Sequence, residues 1–179
     1  MGFLGRSRYE RSGFLLYGEA VKAARHPHFY AELGAPDTLD GRFDLIGLHA
    51  FLLIERLRHD AEPGPLLAQA VFDAMFSDMD INLRELGVGD LSVGKRVRAM
   101  WEAFHGRSAA YGAALRDADA PGLEAALARN VWRGVEPPAG APTALGAHAR
   151  KLFAHLKELP LRALAEGRVA FPPPARDSR

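Results

Sequence analysis

The chain has 179 residues, 48% of them hydrophobic and 25% charged, with a formal net charge of +1; this is the balance of a globular domain with enough length to bury one hydrophobic core. So small a net charge excludes the broad basic field of a nucleic-acid reader, and any recognition by charge must be local. The lack of cysteine excludes disulfides, thiol nucleophiles and cysteine-ligated zinc or iron–sulfur centres, and suits a reducing compartment.

Arg6, Arg8 and Arg11 open the chain, and the apolar stretch after them is interrupted at once by Gly18, Glu19 and Lys22, too soon for a secretory signal. The most hydrophobic run, Phe43 to Leu57, contains Asp44, His49, Glu55 and Arg56, well short of the roughly 18–20 apolar residues that span a membrane. Elsewhere apolar residues recur at three and four, which is the period of helices. The expected fold is therefore all-α, a single compact domain of about six helices with a flexible C-terminal tail.

In chain order, the spacing predicts a first helix from Glu10 to Leu33 with a weak point at His26-Pro27, because proline removes a backbone donor and restricts the residue before it. A loop covers Gly34 to Gly41. The second helix, Arg42 to His59, is apolar nearly all round and is expected at the centre of the core. Glu62-Pro-Gly-Pro65 breaks the chain; Pro65 suits the first turn of a third helix that runs to Leu86 and stops at Gly87. Asp90 or Ser92 offers an N-cap for a fourth helix reaching Asp117. A short helix spans Gly122 to Arg133, residues 135–142 form a linker, and Thr143 caps a last helix to Glu166 that Pro160 kinks or divides. Grouped by these marks, the chain has an N-terminal helical segment (residues 1–34), a helical core (35–134), a linker with a C-terminal helix (135–170) and a disordered tail (171–179).

Seven histidines invite a metal or acid–base reading, but the patterns such chemistry needs are missing. A di-metal bundle needs Glu-x-x-His on two helices, and the chain has that spacing only once, at Glu102-Ala-Phe-His105. His148 and His155 share a helix face without a third ligand and read as exposed helix histidines. His49 reads as a buried, hydrogen-bonded core residue. Nucleophile elbow, phosphate loop and dinucleotide fingerprint are all absent. No catalytic residue, metal or cofactor is therefore expected.

The most informative stretch is Val71 to Trp101. On a helical wheel Phe72, Met75, Phe76, Met79, Leu83 and Leu86 form one apolar stripe, Asp73, Ser77, Asp80 and Arg84 the wet face, and Asp78, Asn82 and Glu85 a shoulder beside the stripe. From Gln69 to Asp90 five acidic residues face the single Arg84, a local net of −4, whereas Leu91 to Arg107 carries Lys95, Arg96, Arg98 and Arg107 against Glu102, a local net of +3. Such patches either pair with each other across the turn, Arg84 with Asp80 at i, i+4 among them, or present a surface to a partner.

The same residues resemble those of the ubiquinol–cytochrome c chaperones, assembly factors for cytochrome b of respiratory complex III. The likeness begins at Phe43-Asp-Leu-Ile-Gly-Leu-His49, is strongest from Phe76 to Asp90, and continues through Lys95-Arg96 and Ala103 to Arg107. Arg129-Asn130 is similar to a later element of the family, and the match covers Arg42 to Gly134. The resemblance implies a helical, non-enzymatic chaperone without a cofactor, whose partner is newly made cytochrome b, with a second small assembly factor as a further candidate. Asp78, Asp80, Asn82, Arg84, Glu85 and Asp90 are then the expected contact surface, with Lys95, Arg96 and Arg107 as its basic neighbour. No nucleic-acid partner is expected, and the place of action is the cytoplasm, with peripheral contact at the inner face of a bacterial inner membrane. The alternative is a peripheral membrane module recruited by the basic N-terminus, where each arginine near an anionic surface contributes about 1 kcal/mol.

Overall fold

The structure, a computed structural model, describes residues 3–116 and 122–175, with side chains from Tyr9 onward. Those residues form eight helical segments and no strand: α1 (Phe3–Ala24), α2 (Pro27–Ala31), α3 (Leu39–Arg58), α4 (Gly64–Glu85), α5 (Asp90–Arg116), α6 (Gly122–Val131), α7 (Ala141–Glu158) and α8 (Leu161–Ala165). The all-α expectation holds. The count exceeds six because two expected helices divide at their prolines: His26-Pro27 parts α1 from α2, and Pro160 parts α7 from α8.

α3 is the central helix. Fourteen of its 20 residues are buried, which only a helix packed on several sides can sustain. It packs against α1 and α4 and also against α5, α6 and α7. Its start lies before Arg42: Thr38 accepts the Gly41 N–H on its Oγ1 at 3.1 Å and caps a first turn that includes Asp40, a favourable place for a carboxylate beside the helix dipole.

α1 and α4 touch closely. A Cβ built on Gly13 would lie 2.6 Å from the backbone carbonyl carbon of Ala70, so this crossing requires a residue without a side chain. α4 ends as the sequence predicts. Gly87 takes φ +78°, its N–H reaches the Arg84 carbonyl at 2.9 Å, and the Val88 N–H reaches that of Leu83 at 3.1 Å, which is the paired closure of a Schellman turn.

One contiguous core runs from Leu16 to Leu164. Long-range polar ties hold its outer elements. Arg56 of α3 donates to the carbonyls of Leu156 and Leu159, 3.1 and 3.2 Å away, and so satisfies the end of α7. Ser12 of α1 donates to the Ala165 carbonyl at 2.7 Å. The fully buried Trp132 donates its indole N–H to the Leu33 carbonyl at 3.1 Å, joining the end of α6 to the loop after α2.

Three local expectations are corrected. Thr143 is not the cap of the last helix: α7 begins at Ala141 after Gly140, with Pro142 in its first turn, where the missing N–H is harmless. α5 begins at Asp90 itself, and the Gly89 carbonyl takes the first helical bonds from Ser92 and Val93; neither Asp90 nor Ser92 precedes the helix as its cap. His148 is not an exposed helix histidine, since its Nε2 is buried and its ring lies 5.7 Å from that of His49. His49 is buried as expected, with Nδ1 donating to the Leu45 carbonyl at 2.8 Å. Phe171 of the C-terminal segment packs onto the core, its ring 6.1 Å from His49; residues 172–175 are also described, with Pro174 buried, and residues 176–179 of the expected tail lie outside the described residues.

Candidate partner-binding groove

The site follows from how α5 is composed. After Val93 its next buried side chain is Phe104. Between them Lys95, Arg96, Arg98 and Glu102 recur at every turn and leave only Val97, Met100 and Ala103 half-buried. A helix segment with so few inward apolar positions cannot close onto the core. Beyond it, Phe104 stacks near Phe72 and Phe76 with ring centroids 5.8 and 6.1 Å apart, so α5 is pinned there and stands off before it.

The gap is a groove between the start of α3, the end of α4 and the first half of α5. It consists of two hollows, about 260 and 120 Å³, that share Leu39, Phe43, Leu83 and Met100. Phe43, Met79 and Leu83 are buried at its floor, while Leu39 is 51% and Leu86 62% exposed at its edge. Exposed aliphatic side chains beside a concave apolar floor are what a docking segment covers.

The nine expected contact residues separate into groups. Asp78, Asn82, Arg96 and Arg107 line the groove. Asp78 accepts the buried Tyr17 hydroxyl on Oδ2 at 2.7 Å; burial, reinforced by this carboxylate, pushes the Tyr17 hydroxyl well above its ordinary pKa. Asn82 donates its amide to the Asp78 carbonyl at 2.7 Å.

Arg107 is only 12% exposed, and it and Arg133 share one carboxylate oxygen of the buried Asp44, Arg133 at 2.5 Å. Burial pushes the Asp44 carboxyl up while the two guanidiniums pull it down. Asp80, Arg84 and Asp90 form a chain on the outer face: Arg84 donates to Asp80 at 2.6 Å and to Asp90. Glu85 and Lys95 are exposed beside the groove without lining it.

The arrangement alters the electrostatic picture read from the sequence. Within the acidic cluster Asp78 accepts the Tyr17 hydroxyl and Asp80 and Asp90 are paired with Arg84, whereas Glu85 stays exposed. Arginines predominate along the groove: Arg25 and Arg42 line one hollow, and Arg96, Arg107 and Arg133 the other. Sequence reasoning missed Arg25, Arg42, Arg133 and Leu39 as lining residues. They lie outside the amphipathic stretch, and nothing in their local pattern distinguishes them from solvated surface.

A larger hollow of about 480 Å³ opens between α3, α5 and α7. Its one buried carboxylate, Glu55, is matched by Arg58 and Arg116 at 3.2 and 3.1 Å. Among the described residues no group of three or more histidines and carboxylates is placed to hold a metal ion, and no helix is long and apolar enough to cross a membrane.

Comparison with known proteins gives this groove a context. The family model described as ubiquinol–cytochrome C chaperone matches residues 31–171, a longer stretch than the motifs alone suggest. The ubiquinol–cytochrome c reductase complex assembly factors 1 of Xenopus laevis and Mus musculus are each 24% identical to the chain, over 73% and 74% of its length. The match covers 68% of the frog protein but only 45% of the mouse one, so the chain spans less than half of the mammalian relative. The crystal structure of the Cbp3 homolog from Brucella abortus is 39% identical and superposes with a TM-score of 0.81, covering 92% of this chain and 91% of that one. The chain belongs to the ubiquinol–cytochrome c chaperone family, a family of chaperones and not of enzymes.

Proposed function

We propose that the chain is an assembly chaperone of the ubiquinol–cytochrome c reductase, respiratory complex III, and that it holds newly made cytochrome b through the groove between α3, α4 and α5. The observation that carries this reading is the groove's composition within a chaperone fold: a buried floor of Phe43, Met79 and Leu83, an exposed edge at Leu39 and Leu86, and arginines along its length. A client of apolar helices joined by polar loops suits such a surface, because a few apolar anchors supply affinity while charges orient the encounter. Contact with the client takes place at the cytoplasmic face of the membrane that receives it, and a second small factor shares the task. Crosslinking from a photoreactive residue placed at Leu39 in native membranes, followed by identification of the captured protein, tests this directly. Cytochrome b is the expected product; its repeated absence, with the chaperone folded, sinks the assignment.

A further inference from the structure

The groove's charges state what kind of segment fits it, an inference that rests on the groove being the client site. Most lining charges are answered within the fold. Arg42 is met by Asp37 at 2.6 Å and Arg107 and Arg133 by Asp44, while Asp78 accepts the neutral Tyr17 hydroxyl and keeps its charge. Two cations are left over. Arg25 lines the hollow toward α1 and Arg96 the hollow toward α5; both are exposed, and neither has an ion-pair partner among the described residues. Between them lies the shared apolar floor.

We propose that the groove recognises an apolar segment bracketed by carboxylates, one for Arg25 and one for Arg96, with the apolar stretch over Phe43 and Leu83. Unmatched guanidiniums at the two ends of an apolar trough fix the register of such a segment and reject one that ends in lysines, since like charges brought together at a desolvated edge oppose docking.

The probe is a pair of fluorescent leucine–alanine peptides, identical except for glutamates or lysines at both ends, titrated into the full chain at low and high salt. The glutamate-ended peptide binds about tenfold tighter at low salt, as two partly exposed ion pairs allow, and the difference shrinks as salt screens it. In an Arg25→Glu/Arg96→Glu variant the preference inverts, whereas Arg162→Glu on α8, away from the groove, leaves it unchanged. Equal affinity for both peptides, or a preference that survives in the double variant, overturns the proposal. A Leu39→Asp/Met100→Asp variant separates this failure from that of the underlying reading. If it abolishes binding of both peptides while they bind the parent equally, the groove is in use and only the charge rule is wrong. If it leaves peptide binding intact, the groove is not the site and both fall.

Discussion

The Tyr17 hydroxyl of α1 and the Asp78 carboxylate of α4 meet at 2.7 Å, so the acidic residue that best suggests a client contact also fastens the two helices that cross at Gly13. Tyr17 is 4% exposed, and a hydrogen bond to a charged acceptor contributes about 1.5–3 kcal/mol. Tyr17→Phe is expected to lower stability by about 1–2 kcal/mol, measured by urea unfolding. Asp78→Arg is expected to cost more, because it removes the acceptor and places a cation against a buried hydroxyl. Loss of client capture in that variant would then not identify a contact; Asp78→Asn, which keeps an acceptor oxygen, is the informative change.

Arg84 of the expected contact surface and Arg107 of its basic neighbour lie in different environments in the fold. Arg84 is 48% exposed between two surface carboxylates, and pairs of that kind contribute about 0–1 kcal/mol. Arg107 pairs with Asp44, which is 1% exposed at its side chain, and removing one partner of a buried pair costs about 3–5 kcal/mol. Arg133 remains on the same oxygen and softens the loss. Arg107→Ala is therefore expected to destabilise by about 2–3 kcal/mol and Arg84→Ala by under about 1 kcal/mol. Equal unfolding midpoints for the two variants would show that Asp44 is not held as described.

Much of the fold is legible in the sequence because its signals are local. Gly87, Gly134, Pro160 and His26-Pro27 mark helix ends where the structure has them, and the apolar period of residues 72–83 names the buried face of α4. The fate of the charges is not legible. Tyr17 and Asp78 are 61 positions apart and Arg133 and Asp44 are 89, and no periodicity encodes which side chains meet over such separations. Lys95 and Arg96 were visible as a basic run, but that Arg96 faces an apolar trough depends on α5 standing off the core. Arg25 gives no signal at all until α1 is laid beside α3. His148 differs: its spacing from Leu145 and Leu152 already sets it beside the apolar stripe of α7, but that Phe29 and His49 meet it there depends on how distant elements pack.

Burial drives the pKa of both His49 and His148 down from 6.5 to about 4, and for His148 the charges of His49, His28 and Lys151 add to the effect. In the unfolded chain these imidazoles take up protons near pH 6.5, whereas in the folded chain they resist until about pH 4. Stability is therefore complete above pH 6.5 and is lost progressively as the pH falls toward 4, by roughly 3 kcal/mol for one such site. Urea unfolding at a series of pH values is expected to show this decline. His49→Gln, which keeps a donor for the Leu45 carbonyl, is expected to flatten it; an unchanged slope would assign the acid sensitivity to other groups.

The groove makes its own prediction through residues that the fold does not need. Leu39 is 51% exposed and Met100 only half-buried, and surface substitutions of this kind usually change stability by no more than about 0.5 kcal/mol. A carboxylate at either position nevertheless puts a charge that must be desolvated where an apolar client segment would rest. Leu39→Asp and Met100→Asp are expected to leave the unfolding midpoint nearly unchanged and to abolish crosslinking to cytochrome b. Leu66→Asp, at a side chain 40% exposed near the start of α4 and away from the groove, is expected to leave crosslinking intact. If all three variants capture the client equally, the apolar trough is not where the client binds. If Leu66→Asp alone abolishes capture, the contact lies toward the start of α4, and the exposed edge at Leu39 and Leu86 must serve a partner other than cytochrome b.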